Sequence, residues 1–188
     1  MDSMEMIMKF RTQREPKPLP RFMKDEEIEI LIESIKSKRD KAMCMLMLRC
    51  GFRVGEVAKL SLRVIDFEKR KILILNGKGP KDRIVYFSND TYTAIQDYLE
   101  VRPSTRVQKL FFVEIGIHKG KPISLRGIQH RFKYYARKTG VNLTCHRLRH
   151  TMATQLLNAD AMLASVQVYK YRGEDGGSRT LERGNDYR

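Results

Sequence analysis

A run of seven consecutive apolar residues, at positions 42–48, places the strongest constraint on how this chain folds. The stretch around it, residues 40–49, is apolar on almost every side of a helix, which is typical of a helix buried at the centre of a domain. Gly51 follows, where a left-handed residue commonly ends a helix. We therefore predict a central buried helix that ends before Gly51.

Other segments show clear helical or strand periodicity. Apolar residues recur at helical spacing over residues 28–35, and again between Ser124, a candidate N-cap, and Gly140. Three short runs rich in β-branched and aromatic residues are separated by turn-forming residues, and they span residues 64–67, 71–75 and 83–87. The predicted fold is a single, mainly helical α+β domain with a small three-stranded antiparallel sheet.

The chain carries a formal net charge of +15, and this charge is unevenly distributed. Residues 115–159 contain nine Lys or Arg and no Asp or Glu, together with all four histidines. Such a surface suits a polyanion, and double-stranded DNA is the partner that we expect. A ribosomal or other RNA-binding protein, or a membrane-surface protein, would show a similar excess.

The sequence shows no pattern typical of a secreted or membrane protein. Its longest apolar run is too short to span a bilayer, and the first residues lack the apolar region of a signal peptide. Of the three cysteines, we interpret Cys44 and Cys50 as buried thiols in a reducing compartment. We therefore expect a cytoplasmic, nucleoid-associated protein that does not bind membranes.

Residues 144–157 (TCHRLRHTMATQLL) place a basic, hydrogen-bond-donating face on a predicted helix. His146, Arg149 and His150 fall at i, i+3 and i+4 and so lie on one side. Leu148 marks another side that would pack into the core. Paired histidines suggest a metal, but the arginines among them would repel a cation and no carboxylate is nearby. We predict an anion site without a metal; a basic helix that only packs by its leucines is the structural alternative.

Two further basic residues are candidates for the same site. Arg53 follows the buried helix at its junction with the next element, and Lys78 lies between two glycines in a predicted hairpin turn. Taken singly, each is most simply a solvated surface residue. The helix after Ser124 adds cations without compensating acids. We predict contacts to the DNA backbone from the basic residues Arg126, Arg131, Lys133 and Arg147.

Three motifs, in this order, resemble the tyrosine recombinase (phage integrase) family. They are residues 51–56 (GFRVGE), 77–83 (GKGPKDR) and 146–154 (HRLRHTMAT). Residues 18–27 (PLPRFMKDEE) are similar to the start of that family's catalytic domain. The resemblance covers about residues 18–168, which we predict to be a catalytic-type domain. We interpret residues 1–17 as a linker and residues 169–188 as an atypical, disordered tail.

The resemblance implies a reaction and a role for each candidate residue. Arg53 and Arg149 would bind the scissile DNA phosphate. His146 would add a donor or relay a proton, and Lys78 would protonate the leaving 5′ oxygen. A tyrosine would attack the phosphorus and hold the cut strand as a phosphotyrosyl intermediate, without a cofactor. The implied function is DNA integration or site-specific recombination by strand breakage and rejoining.

The chain departs from the family pattern at its C-terminal end. A second catalytic His or Trp and the nucleophilic tyrosine are expected after Gln167, but Tyr169 and Tyr171 come too early and Tyr187 comes late. Tyr187 is the candidate nucleophile. The alternative function is a non-catalytic DNA-binding remnant of an integrase, so enzymatic activity is left open here. The usual N-terminal DNA-binding domain is not expected either, and a homo-oligomer on DNA is left open.

Overall fold

The computed structural model describes residues 22–74 and 82–158. In chain order the elements are α1 (Asp25–Ser34), α2 (Lys38–Leu48), α3 (Val54–Lys59), a short 3-10 helix (Leu62–Val64), β1 (Ile65–Asp66), β2 (Lys71–Ile74), β3 (Arg83–Tyr86), α4 (Asn89–Val101), α5 (Leu125–Thr139) and α6 (Cys145–Asn158). The predicted fold, mainly helical with a small antiparallel sheet, is confirmed. No helix in these two ranges has the length and apolarity needed to cross a bilayer.

Helix α2 forms the centre of the core, as the sequence predicts. Residues 42–48 are all buried, and α2 packs against both α4 and α6. Ser37 begins the helix, since its hydroxyl oxygen accepts a hydrogen bond from the Asp40 amide at 3.2 Å. Sulfur atoms are unusually frequent in this part of the core. The fully buried sulfur-containing side chains of α2 are Met43, Cys44 and Met47.

Strands β1, β2 and β3 form the predicted antiparallel meander, in that order across the sheet. Ile72 of β2 pairs with Val85 of β3, and both are buried; Leu73 pairs with Ile84, and both are exposed. This alternation is that of a sheet packed on one face only. The connection from β2 to β3, residues 75–81, lies outside the described residues.

The start of the described chain is tied to α6. Ile28 and Leu31 of α1 are buried, as their spacing predicts. Just before α1, the amide of Met23 donates to the hydroxyl oxygen of Thr151 in α6 at 2.9 Å. Because Met23 and Thr151 are both buried, this hydrogen bond is shielded from water.

Helix α5 begins and ends at the residues predicted from the sequence. The hydroxyl oxygen of Ser124 accepts a hydrogen bond from the Gly127 amide at 3.1 Å, and Gly140 ends the helix with a φ of 72°. Ile128 and Phe132 are buried where α5 packs against α1 and α3. The basic residues of α5 therefore lie away from the apolar core, with one exception described below.

Candidate functional site

The turn between α2 and α3 presents Arg53 to solvent. Gly51 has a φ of 63°, which glycine adopts without strain. Phe52 anchors the turn, because its side chain is fully buried and its amide donates to the Leu46 carbonyl at 3.1 Å. Arg53 then stands as the N-cap residue of α3, with its side chain 37% exposed. The fixed backbone of this turn therefore places the Arg53 guanidinium where solvent can reach it.

Helix α6 brings Arg149 to the same turn. Arg149 Nη1 donates a hydrogen bond to the carbonyl oxygen of Gly51, two residues before Arg53. Burial of Leu148 and Met152 fixes how α6 is rotated about its axis. The two arginines to which the resemblance assigns phosphate binding, Arg53 and Arg149, therefore lie at one turn, although their elements are far apart in the chain.

The two histidines of α6 differ in exposure. His146 is exposed, one helical turn before Arg149. His150 is half-buried, and its Nδ1 lies 3.4 Å from the hydroxyl oxygen of Thr154. His146 is thus the more accessible of the two to a ligand held by Arg149.

Glu56 links Arg53 to the sheet. Arg53 Nη1 donates to Glu56 Oε1 at 3.1 Å, and the Arg53 amide donates to Glu56 Oε2 at 2.8 Å. From β3, Arg83 approaches the same carboxylate with both terminal nitrogens, at 2.9 Å to Oε1 and 2.7 Å to Oε2. The bidentate geometry is the strongest arrangement of an arginine on a carboxylate.

The Glu56 carboxyl stays ionised over a wide pH range. Burial raises its pKa, but hydrogen bonds from Arg83 and from the Arg53 amide, together with the charges of both arginines, outweigh burial and lower the pKa below the usual 4.5. One negative charge therefore lies between two positive charges. The cluster of Arg53, Glu56 and Arg83 keeps a net positive charge.

Lys78 lies outside the described residues, in the connection from β2 to β3. The last pair of the β2–β3 register, Ile74 opposite Arg83, lies at the two ends of that connection. Arg83, the first residue of β3, contacts Glu56 of the cluster that contains Arg53. The role of Lys78 stays a prediction.

The basic residues assigned to DNA contact fall into two groups. Arg126 and Lys133 are exposed on α5. Arg131 is turned toward the core, where Nε donates to Asp40 Oδ2 at 2.8 Å and its guanidinium lies 5.0 Å from the centre of the Tyr134 ring. DNA contact by Arg131 stays a prediction that the placement of its donors does not favour.

Asp40 is the centre of a buried network that explains the position of Arg131. The Asp40 side chain is fully buried and accepts hydrogen bonds from Arg39 Nη2 at 2.6 Å and from the Tyr135 hydroxyl at 2.9 Å, besides the bond from Arg131. Burial, followed by the charge of Asp40, raises the pKa of Tyr135 to about 12. The network joins α2 to α5.

Arg147 also donates within the protein. Its Nη2 lies 2.8 Å from Glu27 Oε2 of α1, and the same nitrogen donates to the Phe22 carbonyl at 3.1 Å. Only 12% of the Arg147 side chain is exposed. This placement supports a structural role in joining α6 to α1, and DNA contact by Arg147 likewise stays a prediction.

Comparison with known proteins identifies the family of this chain. A sequence model of the phage integrase family matches residues 21–170. The chain belongs to the phage integrase family. It is similar to tyrosine recombinase XerA of Pyrococcus furiosus, with 34% identity over 165 residues that cover 87% of this chain and 57% of the relative. The chain thus spans about half the length of the curated relatives it matches.

Solved structures show the same fold. The crystal structure of XerA recombinase aligns with a TM-score of 0.72 and 28% identity, over 81% of this chain and 56% of the other. The Tn1549 transposon integrase, solved in complex with circular intermediate DNA, aligns with a TM-score of 0.66 and 21% identity, over 81% of this chain and 59% of the other. The second likeness supports the fold alone.

Two residues of this phage integrase domain were not singled out from the sequence. Glu56 stands three residues after Arg53, the spacing at which a glutamate reaches back to an N-cap amide, so its local role has a sequence signal. Arg83 carries no such signal, because its partner lies in another element. In the described part of the chain, no group of three or more His, Cys, Asp or Glu residues could hold a metal ion.

Proposed function

We propose that this domain breaks and rejoins duplex DNA by site-specific recombination through a phosphotyrosyl intermediate. Arg53 and Arg149 bind the non-bridging oxygens of the scissile phosphate, and His146 adds a donor beside them. Lys78 is the general acid for the leaving 5′ oxygen. Residues 18–168 form the catalytic-type domain, which the match of the family model to residues 21–170 supports.

The observation that carries this proposal is that Arg149 and Arg53 both lie at the turn that contains Gly51. Arg149 donates to the carbonyl of that turn, and the cluster of Arg53, Glu56 and Arg83 adds net positive charge next to it. Guanidinium groups held in place by the fold stabilise the charge that develops on phosphate oxygens in the transition state. The positive charge at the turn therefore suits a phosphodiester group better than a neutral ligand.

The chemical steps conserve the number of phosphodiester bonds. The tyrosine hydroxyl passes its proton through His146 to solvent as its oxygen attacks the phosphorus. The bond from phosphorus to the 5′ oxygen breaks, and that oxygen takes a proton from Lys78. A 5′ hydroxyl of a second strand then attacks the phosphotyrosine and returns a proton to Lys78, and the released tyrosine regains its proton by the same route. No high-energy cofactor is required, since the tyrosyl ester retains the energy of the broken bond.

Duplex DNA is the proposed partner on electrostatic grounds as well. Exposed Arg126 and Lys133 extend the positive charge along α5, and the net charge of the chain is +15. The Tn1549 transposon integrase, which shares this fold, was solved in complex with circular intermediate DNA. Such binding would keep the protein at the nucleoid, and assembly of several copies on one DNA site is part of the proposal.

Covalent trapping on a nicked duplex tests the function. The duplex is first selected from a random-sequence pool by the protein, and a nick near the cut site lets the short 5′ hydroxyl fragment diffuse away. We expect a protein–DNA adduct that survives denaturation and is lost in Tyr187→Phe. Mass spectrometry of the adduct identifies the attached residue.

The control variant for trapping is Arg106→Gln, which removes one exposed positive charge outside the site. It should form as much adduct as the wild type. An adduct on a tyrosine other than Tyr187 would correct the nucleophile and keep the function. Sequence-selective DNA binding with no adduct at any tyrosine would replace the proposal with a non-catalytic DNA-binding function.

The role of Lys78 is tested separately, by changing the leaving group of the substrate. Lys78→Ala should slow cleavage by about 100-fold or more, as expected for loss of a general acid. A substrate with sulfur in place of the 5′ bridging oxygen needs no protonation on departure, since a thiol has a pKa of about 8.5. The variant should therefore cleave the sulfur substrate at close to the wild-type rate. An equal defect on both substrates would remove Lys78 as the acid.

A further inference from the structure

We propose that Arg83 is a positioning residue that keeps the Arg53 guanidinium available for an oxyanion by holding and neutralising Glu56. The inference rests on the proposed phosphate-binding role of Arg53 and adds a residue to it. Arg83 does not itself touch the substrate in this proposal. It acts through Glu56.

The two arginines do not contact the Glu56 carboxylate equally. Arg83 contacts both oxygens, at 2.9 and 2.7 Å, whereas the Arg53 side chain contacts only Oε1, at 3.1 Å. The stronger partner of Glu56 is thus Arg83. Arg53 is oriented by the carboxylate without being its main counter-charge.

The exposed fractions of the side chains differ in the same way. The side chains of Arg83 and Glu56 are 15% and 13% exposed, while that of Arg53 is 37% exposed. The Arg83–Glu56 pair is therefore largely screened from water, where charge interactions are strong. The more accessible member of the cluster is the one that faces a ligand.

Charge explains why Arg83 is needed. With all three residues ionised, the cluster carries a charge of +1. Without Arg83, Glu56 would pair with Arg53 alone, and the sum would be zero. An incoming phosphate would then compete with a carboxylate for the same guanidinium, and it would meet no net attraction at that position.

The test measures binding of inorganic phosphate to the full chain by NMR, from the side-chain signals of ¹⁵N-labelled Arg53. We expect Arg83→Gln to weaken phosphate binding by about tenfold, the effect of removing one charge a few ångströms from a partly screened anion. The double variant Arg83→Gln with Glu56→Gln restores the +1 charge at Arg53. Its affinity should return to within about threefold of the wild type. Arg106→Gln, with an equal loss of charge elsewhere, should bind as the wild type does.

Rescue by the second substitution separates positioning from simple structural support. If Arg83 only stabilised the fold, the double variant would be no better than Arg83→Gln, and that result would overturn the inference, as would unchanged binding in Arg83→Gln. Thermal melting of each variant shows whether it is folded at the assay temperature. Should Arg83→Gln unfold, Arg83→Lys keeps the charge and should bind phosphate almost normally; loss of binding in folded Arg83→Lys would count against the proposal.

The outcome is distinguishable from failure of the proposed function. If wild-type Arg53 signals do not respond to phosphate, the phosphate-binding role of Arg53 is wrong, and this inference falls with it. If phosphate binds with the predicted pattern but no DNA adduct forms, the inference stands and strand cleavage does not.

Discussion

Two carboxylates in this domain are each held by two arginines, Asp40 between α2 and α5 and Glu56 between α3 and β3. Asp40 is fully buried and also accepts a hydrogen bond from the Tyr135 hydroxyl. Glu56 lies nearer the surface, beside the turn that receives Arg149. The residue types are nearly the same, whereas the surroundings differ.

This difference in surroundings underlies our proposal that one cluster is structural and the other binds phosphate. Arg131 and Arg53 have equally exposed side chains, at 37% each. The guanidinium of Arg131, however, donates to Asp40 and lies over the ring of Tyr134. Arg53 instead follows the turn whose Gly51 carbonyl accepts a hydrogen bond from Arg149 of α6. We propose that the enclosed carboxylate, Asp40, supports the fold, whereas Glu56 orients the Arg53 guanidinium toward a ligand.

The largest expected effect is on stability at the enclosed cluster. Asp40→Asn leaves the buried Arg39 with only the more distant carboxylate of Glu114, at 3.7 Å, as an anionic partner, and we expect it to lower the free energy of unfolding by about 3–5 kcal/mol. Glu56→Gln, at a pair that is partly exposed, should cost less, about 2 kcal/mol. Urea unfolding of both variants measures the difference. Equal losses would show that burial does not separate the two clusters.

Replacing one arginine of each cluster by glutamine tests the same difference between the two clusters. Arg53→Gln should slow strand cleavage by about 100- to 1000-fold, as loss of one transition-state donor does, with the melting temperature nearly unchanged. Arg131→Gln should show the opposite pattern, a lower melting temperature with the cleavage rate of the folded protein preserved. A single-turnover assay on the nicked duplex, with a melting curve for each variant, checks both. If Arg131→Gln slows cleavage as much as Arg53→Gln, the division of roles is wrong.

The Glu27–Arg147 pair offers a third case, because the Glu27 side chain is more exposed than Asp40 or Glu56, at 27% against 0% and 13%. Burial raises the pKa of Glu27, but hydrogen bonds from the Lys24 amide and from Arg147 outweigh it and lower the pKa below 4.5. The folded state therefore favours the ionised form, so the contribution to stability is present above pH 4.5 and is lost as pH falls through the folded-state pKa.

Glu27→Gln should accordingly reduce the free energy of unfolding by about 1 kcal/mol at pH 7 and by almost nothing at strongly acidic pH. Urea unfolding at both pH values gives the comparison. Glu29→Gln, an exposed change in the same helix, is the control and should have little effect at either pH. A cost for Glu27→Gln that does not depend on pH would show that packing, and not charge, joins α6 to α1.

The smallest effect is expected at the exposed cations of α5. Arg126→Ala and Lys133→Ala should each reduce the slope of log affinity against log salt for non-specific duplex DNA by about 0.9, the value for one phosphate contact. Arg147→Ala should leave that slope unchanged, because its donors are held by Glu27 and by a backbone carbonyl. Filter binding across a salt series measures all three. A reduced slope for Arg147→Ala would show that Arg147 contacts the DNA.

Local patterns in the sequence predicted the elements well. The burial of residues 42–48, the caps of α5 at Ser124 and Gly140, and the alternation of β2 and β3 each depend on neighbours a few residues away. The convergence of Arg53 and Arg149 was implied only by the resemblance of the motifs to a family. No local pattern relates two residues so far apart in the chain.

The direction of individual charged side chains was not predictable in the same way. Arg131 and Lys133 stand two positions apart on one helix, yet one reaches a buried carboxylate and the other is exposed. Helical spacing alone cannot tell which cations find a partner, because Asp40 is supplied by a helix 91 residues away in sequence. The apolar character assigned to residues 40–49 likewise concealed a buried carboxylate at the first of them.

The buried sulfur atoms in and next to α2 can report, by their chemical modification, when the core of this domain opens. Burial raises the pKa of the Cys44 thiol to about 12 and that of Cys50 to about 11, so neither forms much reactive thiolate while the fold is closed. Alkylation of these thiols, or oxidation of Met43 and Met47 by peroxide, must wait for the core to open. The rate of such modification with and without DNA would show how far DNA binding slows that opening.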